Sequence, residues 1–211
     1  MTESTARVYR SELRARQARE TRARIIAAAG ELFARQGYQA TTIAAIARAA
    51  GVSGETVKTA ASKAELLIAA FEVTFSGYEG AESLTDTDVA AGVLELPDDV
   101  FLDSVLAQIT DANARGHRLW TVLLGAALSD ERVDEVLTQI LHRRADDYRR
   151  LVDELIARGL AAPKADPQAT AATLSFLLSP ESYQQLVAQS GWDAGTYMQW
   201  LRGAVAAELA R

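Results

Sequence analysis

TTIAAIARAAGVSGETVK, Thr41 to Lys58, is the stretch on which the reading of this chain turns. Ile43, Ile46 and Ala47 recur at helical spacing and give a short helix, Ile43 to Ala50, an inner face. Ala47 is small where a second helix must cross closely, and either Thr41 or Thr42 can cap the start. Gly51 stands where a tight turn needs positive φ. Val52 plugs the corner, Ser53 caps a second helix from Gly54 to about Ala60, and Val57 anchors its buried side. Two short helices joined in this way form a helix-turn-helix, whose second helix can enter a major groove. An ordinary helical hairpin is the alternative.

Working outward, Glu12 to Gln36 reads as one amphipathic helix with Ile25, Ile26, Ala29, Leu32 and Phe33 on its apolar face. Gly37 ends it as a left-handed cap, and Tyr38 is placed to fold back. Arg7, Arg10, Arg14, Arg16, Arg19, Arg22 and Arg24 make an arginine-rich lead-in, either a solvated tail or an arm for an adjacent minor groove. Downstream, Ser62 to Glu65 is an S-x-x-E capping box that opens a longer helix through Leu66, Leu67, Ala70, Phe71 and Val73. From Ser76 to Pro97 the apolar period weakens and glycines gather, as in a connection. Helices are then predicted at about 98–115, 117–128, 131–159, 167–178, 181–190 and 194–210, with Asp166-Pro167 and Ser179-Pro180 as caps followed by Pro.

The fold class is therefore all-α, in line with a composition that is 49% hydrophobic with only 4 Pro in 211 residues. The organisation expected is an N-terminal arm and helix-turn-helix domain over 1–62 and a helical domain over 63–211. The net charge of -6 hides a split. Residues 1–70 carry +5 and residues 71–211 carry -11, so one end suits a polyanion and the other repels it.

The chain has no cysteine, which excludes disulfides, thiolate metal sites and cysteine nucleophiles. His117 and His142 are isolated and make no zinc site. G-x-S-x-G, a P-loop, G-x-G-x-x-G and H-E-x-x-H are all missing. Asp98-Asp99 and Asp146-Asp147 point apart on a helix and read as solvated faces. The expectation is a protein that is not an enzyme and needs no cofactor or metal. With neither a signal-peptide core nor a run long enough to span a membrane, it is expected in the cytoplasm.

From Arg22 to Leu67 the sequence RIIAAAGELFARQGYQATTIAAIARAAGVSGETV, followed by SKAELL, resembles the N-terminal domain of the tetracycline-repressor (TetR) family. A weaker likeness runs from Leu177 to Leu201. The resemblance implies a nine- or ten-helix homodimer that binds palindromic double-stranded DNA operators, usually as a repressor, and is released by a small-molecule effector. Candidate DNA contacts are Thr41, Thr42, Ser53, Gly54, Glu55, Thr56, Lys58, Thr59 and Lys63, with Thr42 and Lys63 suited to phosphates. One departure concerns the exit of the second helix. The family usually has a Tyr, then His or a small residue, then Phe, whereas this chain has Lys58, Thr59, Ala60 and Ala61. Lys58 can replace the missing aromatic phosphate contact by charge.

In the second half, Phe101, Val105, Ile109, Asn113, His117, Trp120, Leu124, Tyr148 and Phe176 are candidates to line an effector pocket. A filled core is the other fate of such apolar stripes. Leu174, Leu177, Leu178, Tyr197, Trp200 and Leu201 recur near helical spacing and are candidates for a two-fold four-helix interface. A constitutive DNA- or partner-binding protein with no effector pocket is the competing function.

Overall fold

A computed structural model describes residues 2–80, 92–163 and 166–210, with side chains considered from residue 13 onward. Among them every regular element is a helix: α1 (Thr2–Ala40), α2 (Ile43–Ala50), α3 (Gly54–Ala60), α4 (Lys63–Ser76), α5 (Asp98–Ala127), α6 (Glu131–Ala157), α7 (Pro167–Leu177), α8 (Pro180–Tyr183, continued by the π-helical turn Gln184–Gln189) and α9 (Ala194–Leu209). The chain falls into two compact units, and the division lies within α4, after Ala70. The side chains of Arg7 and Arg10, and residues 81–91 of the weakly periodic stretch, lie outside the described residues.

The first unit is built on α1. Its Ile25, Ala29 and Phe33 are fully buried, and Ile26 and Leu32 nearly so. Gly37 breaks α1 with φ 79°, a conformation that costs a residue with a Cβ, and Tyr38 then stacks on Phe33 with ring centroids 5.8 Å apart. Ile46, Val57, Leu66 and Leu67, from α2, α3 and α4, complete this core with no exposure.

In the second unit, α5 is a single helix of 30 residues where two were expected. The expected break fails because Gly116 is a notch rather than a stop. A Cβ there would lie 2.8 Å from Phe75 Cδ2, so the glycine makes room for that ring. Helix starts follow local chemistry: Asp130, Asp166, Ser179 and Asp193 each accept a hydrogen bond from the backbone N–H three residues on. The core gathers Phe101 and Leu106 from α5, Val152 and Leu155 from α6, Leu174 from α7 and Tyr197, Leu201 and Val205 from α9.

That core corrects the expected dimer face. Leu174, Leu178, Tyr197 and Leu201 are essentially unexposed, and Leu177 and Trp200 pack against the same cluster. Side chains expected to meet a partner are already covered within one chain. What faces outward is Phe176 on α7, 66% exposed, and the small residues Gly203, Ala206 and Ala207 on α9. Phe176 therefore lies outside the effector pocket to which the sequence assigned it.

Candidate functional site

The first candidate site is the corner between α2 and α3. Thr42 caps α2 by accepting from the Ala45 N–H at 3.1 Å. Gly51 adopts φ 66°, ψ 38°, and the next amide, Val52 N–H, donates to the Ala47 carbonyl at 3.0 Å. Ser53 Oγ accepts from the Thr56 N–H at 3.0 Å and lies 2.8 Å from Thr56 Oγ1, so both hydroxyls shape the start of α3. Glu55, Lys58 and Thr59 stand exposed on α3. At Gly54 an added Cβ would meet nothing within 4 Å, which leaves an open surface.

Thr41 departs from its expected role. It is fully buried, and its hydroxyl donates to the Gly37 carbonyl at 2.8 Å, so it closes the end of α1 and cannot offer a side-chain contact to DNA. Lys63 sits over the Tyr38 ring at 4.3 Å, an arrangement that holds its ammonium at the edge of the corner. The exit of α3 has a partner that sequence reading missed. Arg22 Nη1 donates to the Ala60 carbonyl at 2.6 Å, so one of the lead-in arginines pins the end of α3 where the aromatics are lacking. The capping box forms as expected: Ser62 N–H donates to Glu65 Oε2 at 2.7 Å and Glu65 N–H to Ser62 Oγ at 3.2 Å.

The second candidate site lies along α5. Thr110 Oγ1, Asn113 Oδ1, His117 Nδ1 and Trp120 Nε1 are shielded from solvent and have no hydrogen-bond partner. Their spacing of three, four and three residues puts them on one face of the helix. Asn113 is anchored, because its Nδ2 donates to the Leu178 carbonyl at 2.9 Å. Tyr148 Oη reaches the same carbonyl at 3.5 Å, and burial pushes its phenol well above the ordinary range. Burial, with Arg118 beside it, holds the His117 imidazole below its ordinary 6.5, so the ring is neutral at pH 7.

Aromatic rings border this row. Phe71 lies 5.6 Å from Trp120 and Tyr183 5.4 Å from His117. Arg144 approaches the Trp120 ring at 5.7 Å, but its guanidinium donates to Ser175 Oγ and to the Ser175 carbonyl at 2.9 and 2.8 Å. It also faces Glu181 at 3.7 Å. Of the expected lining, Asn113, His117 and Trp120 share the row, Phe101 belongs to the core, and Val105, Ile109 and Leu124 are half-buried on the same helix. Thr110 escaped the sequence reading, although the three-four-three spacing of polar side chains on an apolar face would have found it.

Among the described residues no helix is long and apolar enough to cross a membrane, and no group of three His, Asp or Glu could hold a metal ion. Residues 25–70 match the family model of bacterial regulatory proteins, tetR family. No curated protein matches the chain in sequence. Solved structures similar to it include a transcriptional regulator from Pseudomonas aeruginosa PAO1, 18% identical over 88% of each chain with a TM-score of 0.69. Another is NalD, the secondary repressor of the MexAB-OprM multidrug efflux pump in Pseudomonas aeruginosa, 21% identical, covering 93% of this chain and 98% of its own, with a TM-score of 0.63. A third is the fatty acid degradation regulator FadR from Bacillus halodurans, 20% identical over 89% and 94%, with a TM-score of 0.62. Residues 25–70 thus carry the DNA-binding domain of the bacterial tetR family, which makes this chain a transcriptional regulator rather than an enzyme.

Proposed function

We propose that the chain is a ligand-responsive repressor that binds a palindromic operator as a homodimer in the cytoplasm, and that a small molecule entering the second unit releases it. The observation that carries this reading is the row of four unpartnered polar atoms on α5. A buried donor or acceptor without a partner costs about 1–3 kcal/mol, so a row of them is expensive to keep unless a ligand completes it. Glu55, Lys58 and Thr59 with the open backbone at Gly54 meet base edges, while Thr42, Lys58 and Lys63 hold phosphates. Ser53 and Thr56 act by fixing the start of α3.

The partner face is the outward one, with Phe176 on α7 and Gly203, Ala206 and Ala207 on α9, where small residues allow close helix approach. The repressor reading draws support from NalD, whose own role is to repress an efflux pump. Selection of bound sites from random double-stranded DNA tests the whole. Enriched palindromes with half-sites about 34–36 Å apart, or multiples of that, are the expected outcome. A selection that enriches no sequence rejects the reading.

A further inference from the structure

We propose that the effector is an electrically neutral, elongated and mostly apolar molecule with a hydrogen-bond acceptor at one end, met by the Trp120 indole N–H, and a hydrogen-bond donor at the other, met by Asn113 Oδ1. This deepens the effector-binding reading and rests on it. The polarity of each orphaned group fixes what the ligand must supply. An indole N–H can only donate. The Asn113 amide is oriented by its own Nδ2, which must face the Leu178 carbonyl at 2.9 Å, so the oxygen left over can only accept. Thr110 and His117 lie beyond and between these two and can serve either role.

Distance and shape follow from the helix. Asn113 and Trp120 are seven residues apart, about 10 Å along the axis at 1.5 Å per residue, which is the span of two linked rings. Phe71 beside Trp120, Phe75 against Gly116 and Tyr183 beside His117 border the row with aromatic surface suited to planar rings.

Charge argues for neutrality. A buried ionised ligand needs a counter-charge with its hydrogen bonds free. The cation near the row, Arg144, is committed to Ser175 and faces Glu181, and the His117 imidazole is neutral. The neighbouring Arg118 is exposed on α5. Neither a carboxylate nor an ammonium finds a partner there.

The test uses the full chain, labelled with nitrogen-15 at the tryptophan indoles, and a panel of two-ring ketones made in matched forms: chalcones bearing 4-hydroxyl, 4-methyl, 4-carboxylate or 4-aminomethyl groups. The hydroxyl form, which has donor and acceptor, is expected to bind at least tenfold more tightly than the other three and to move the Trp120 indole proton downfield. Trp120→Phe should weaken that binding at least tenfold. The indole signal in the wild-type protein gives the same answer if the variant folds poorly. Tighter binding by a charged form, or binding that leaves the Trp120 signal in place, overturns the proposal. If charged forms bind and also release operator DNA, the effector reading stands without this chemistry. If no member of the panel binds and none releases DNA, both fall.

Discussion

In the first unit the polar side chains at the turns end on near neighbours: Thr41 on the Gly37 carbonyl, Thr42 on the Ala45 amide, Ser53 on the Thr56 amide and Arg22 on the Ala60 carbonyl. In the second unit α5 carries four shielded polar atoms that end on nothing within the chain. Among the described residues all the shielded side-chain atoms lacking a partner lie on that one helix. At about 1–3 kcal/mol each, four such atoms rival the whole net stability of a typical domain, roughly 5–15 kcal/mol. The difference separates two tasks. A head that must present α3 in one geometry gains from complete internal pairing, whereas a unit that must receive a molecule keeps unfilled hydrogen-bonding capacity.

The largest effect that could break this contrast is in the head's core. Phe33→Ala should cost about 3–5 kcal/mol in chemical denaturation. A much smaller loss would mean that the head is loosely packed. Next come the two glycines of the corner. Gly51→Ala forces a Cβ into φ 66° and should destabilise by about 1–2 kcal/mol. Gly54→Ala meets open space and should leave the melting temperature unchanged while weakening operator binding in a gel-shift titration. Equal effects of the two substitutions on stability would show that Gly54 serves the fold and not the DNA.

Ser53→Ala should remove about 1 kcal/mol by uncapping α3. In the second unit the sign reverses. Thr110→Val deletes an unpartnered hydroxyl at nearly constant volume and should stabilise the ligand-free protein by up to about 1 kcal/mol. A loss of stability would reveal a partner for that hydroxyl and dissolve the contrast. The smallest effect is that of pH. Because the folded protein holds His117 below 6.5, the unfolded chain binds its proton first, so this contribution to stability is complete above about pH 6.5 and declines as the pH falls toward the folded value. His117→Asn should flatten that slope in denaturation curves taken from pH 7.5 to 5.

The same division explains what the sequence made legible. Helices α2 and α3, the turn at Gly51 and the capping box at Ser62 were readable because each depends on residues a few positions apart. The caps at Asp166 and Ser179 were readable for the same reason. Facing was not. Leu174, Tyr197 and Leu201 form an apolar stripe, but a stripe does not say whether it covers its own core or a partner's surface, and here it covers its own. Gly116 read as a break because its reason to exist, the Phe75 ring, is 41 residues away in sequence. Arg22 read as one of many solvated arginines until the end of α3 came within its reach.

The π-helical turn Gln184–Gln189 holds a consequence of another kind. It widens one turn of the helix to accommodate an extra residue, closed by the Ser190 N–H donating to the Gln185 carbonyl at 3.0 Å. Removing one residue there would restore ordinary winding and rotate all that follows by about 100° relative to Tyr183. Trp192, and with it the entry to α9, would be turned away from the aromatic contacts that Tyr197 and Trp200 make. Along this segment the number of residues, more than their identity, sets the phase of the helix that follows, so the stretch should tolerate substitution at Gln185 and Ala188 far better than deletion of either.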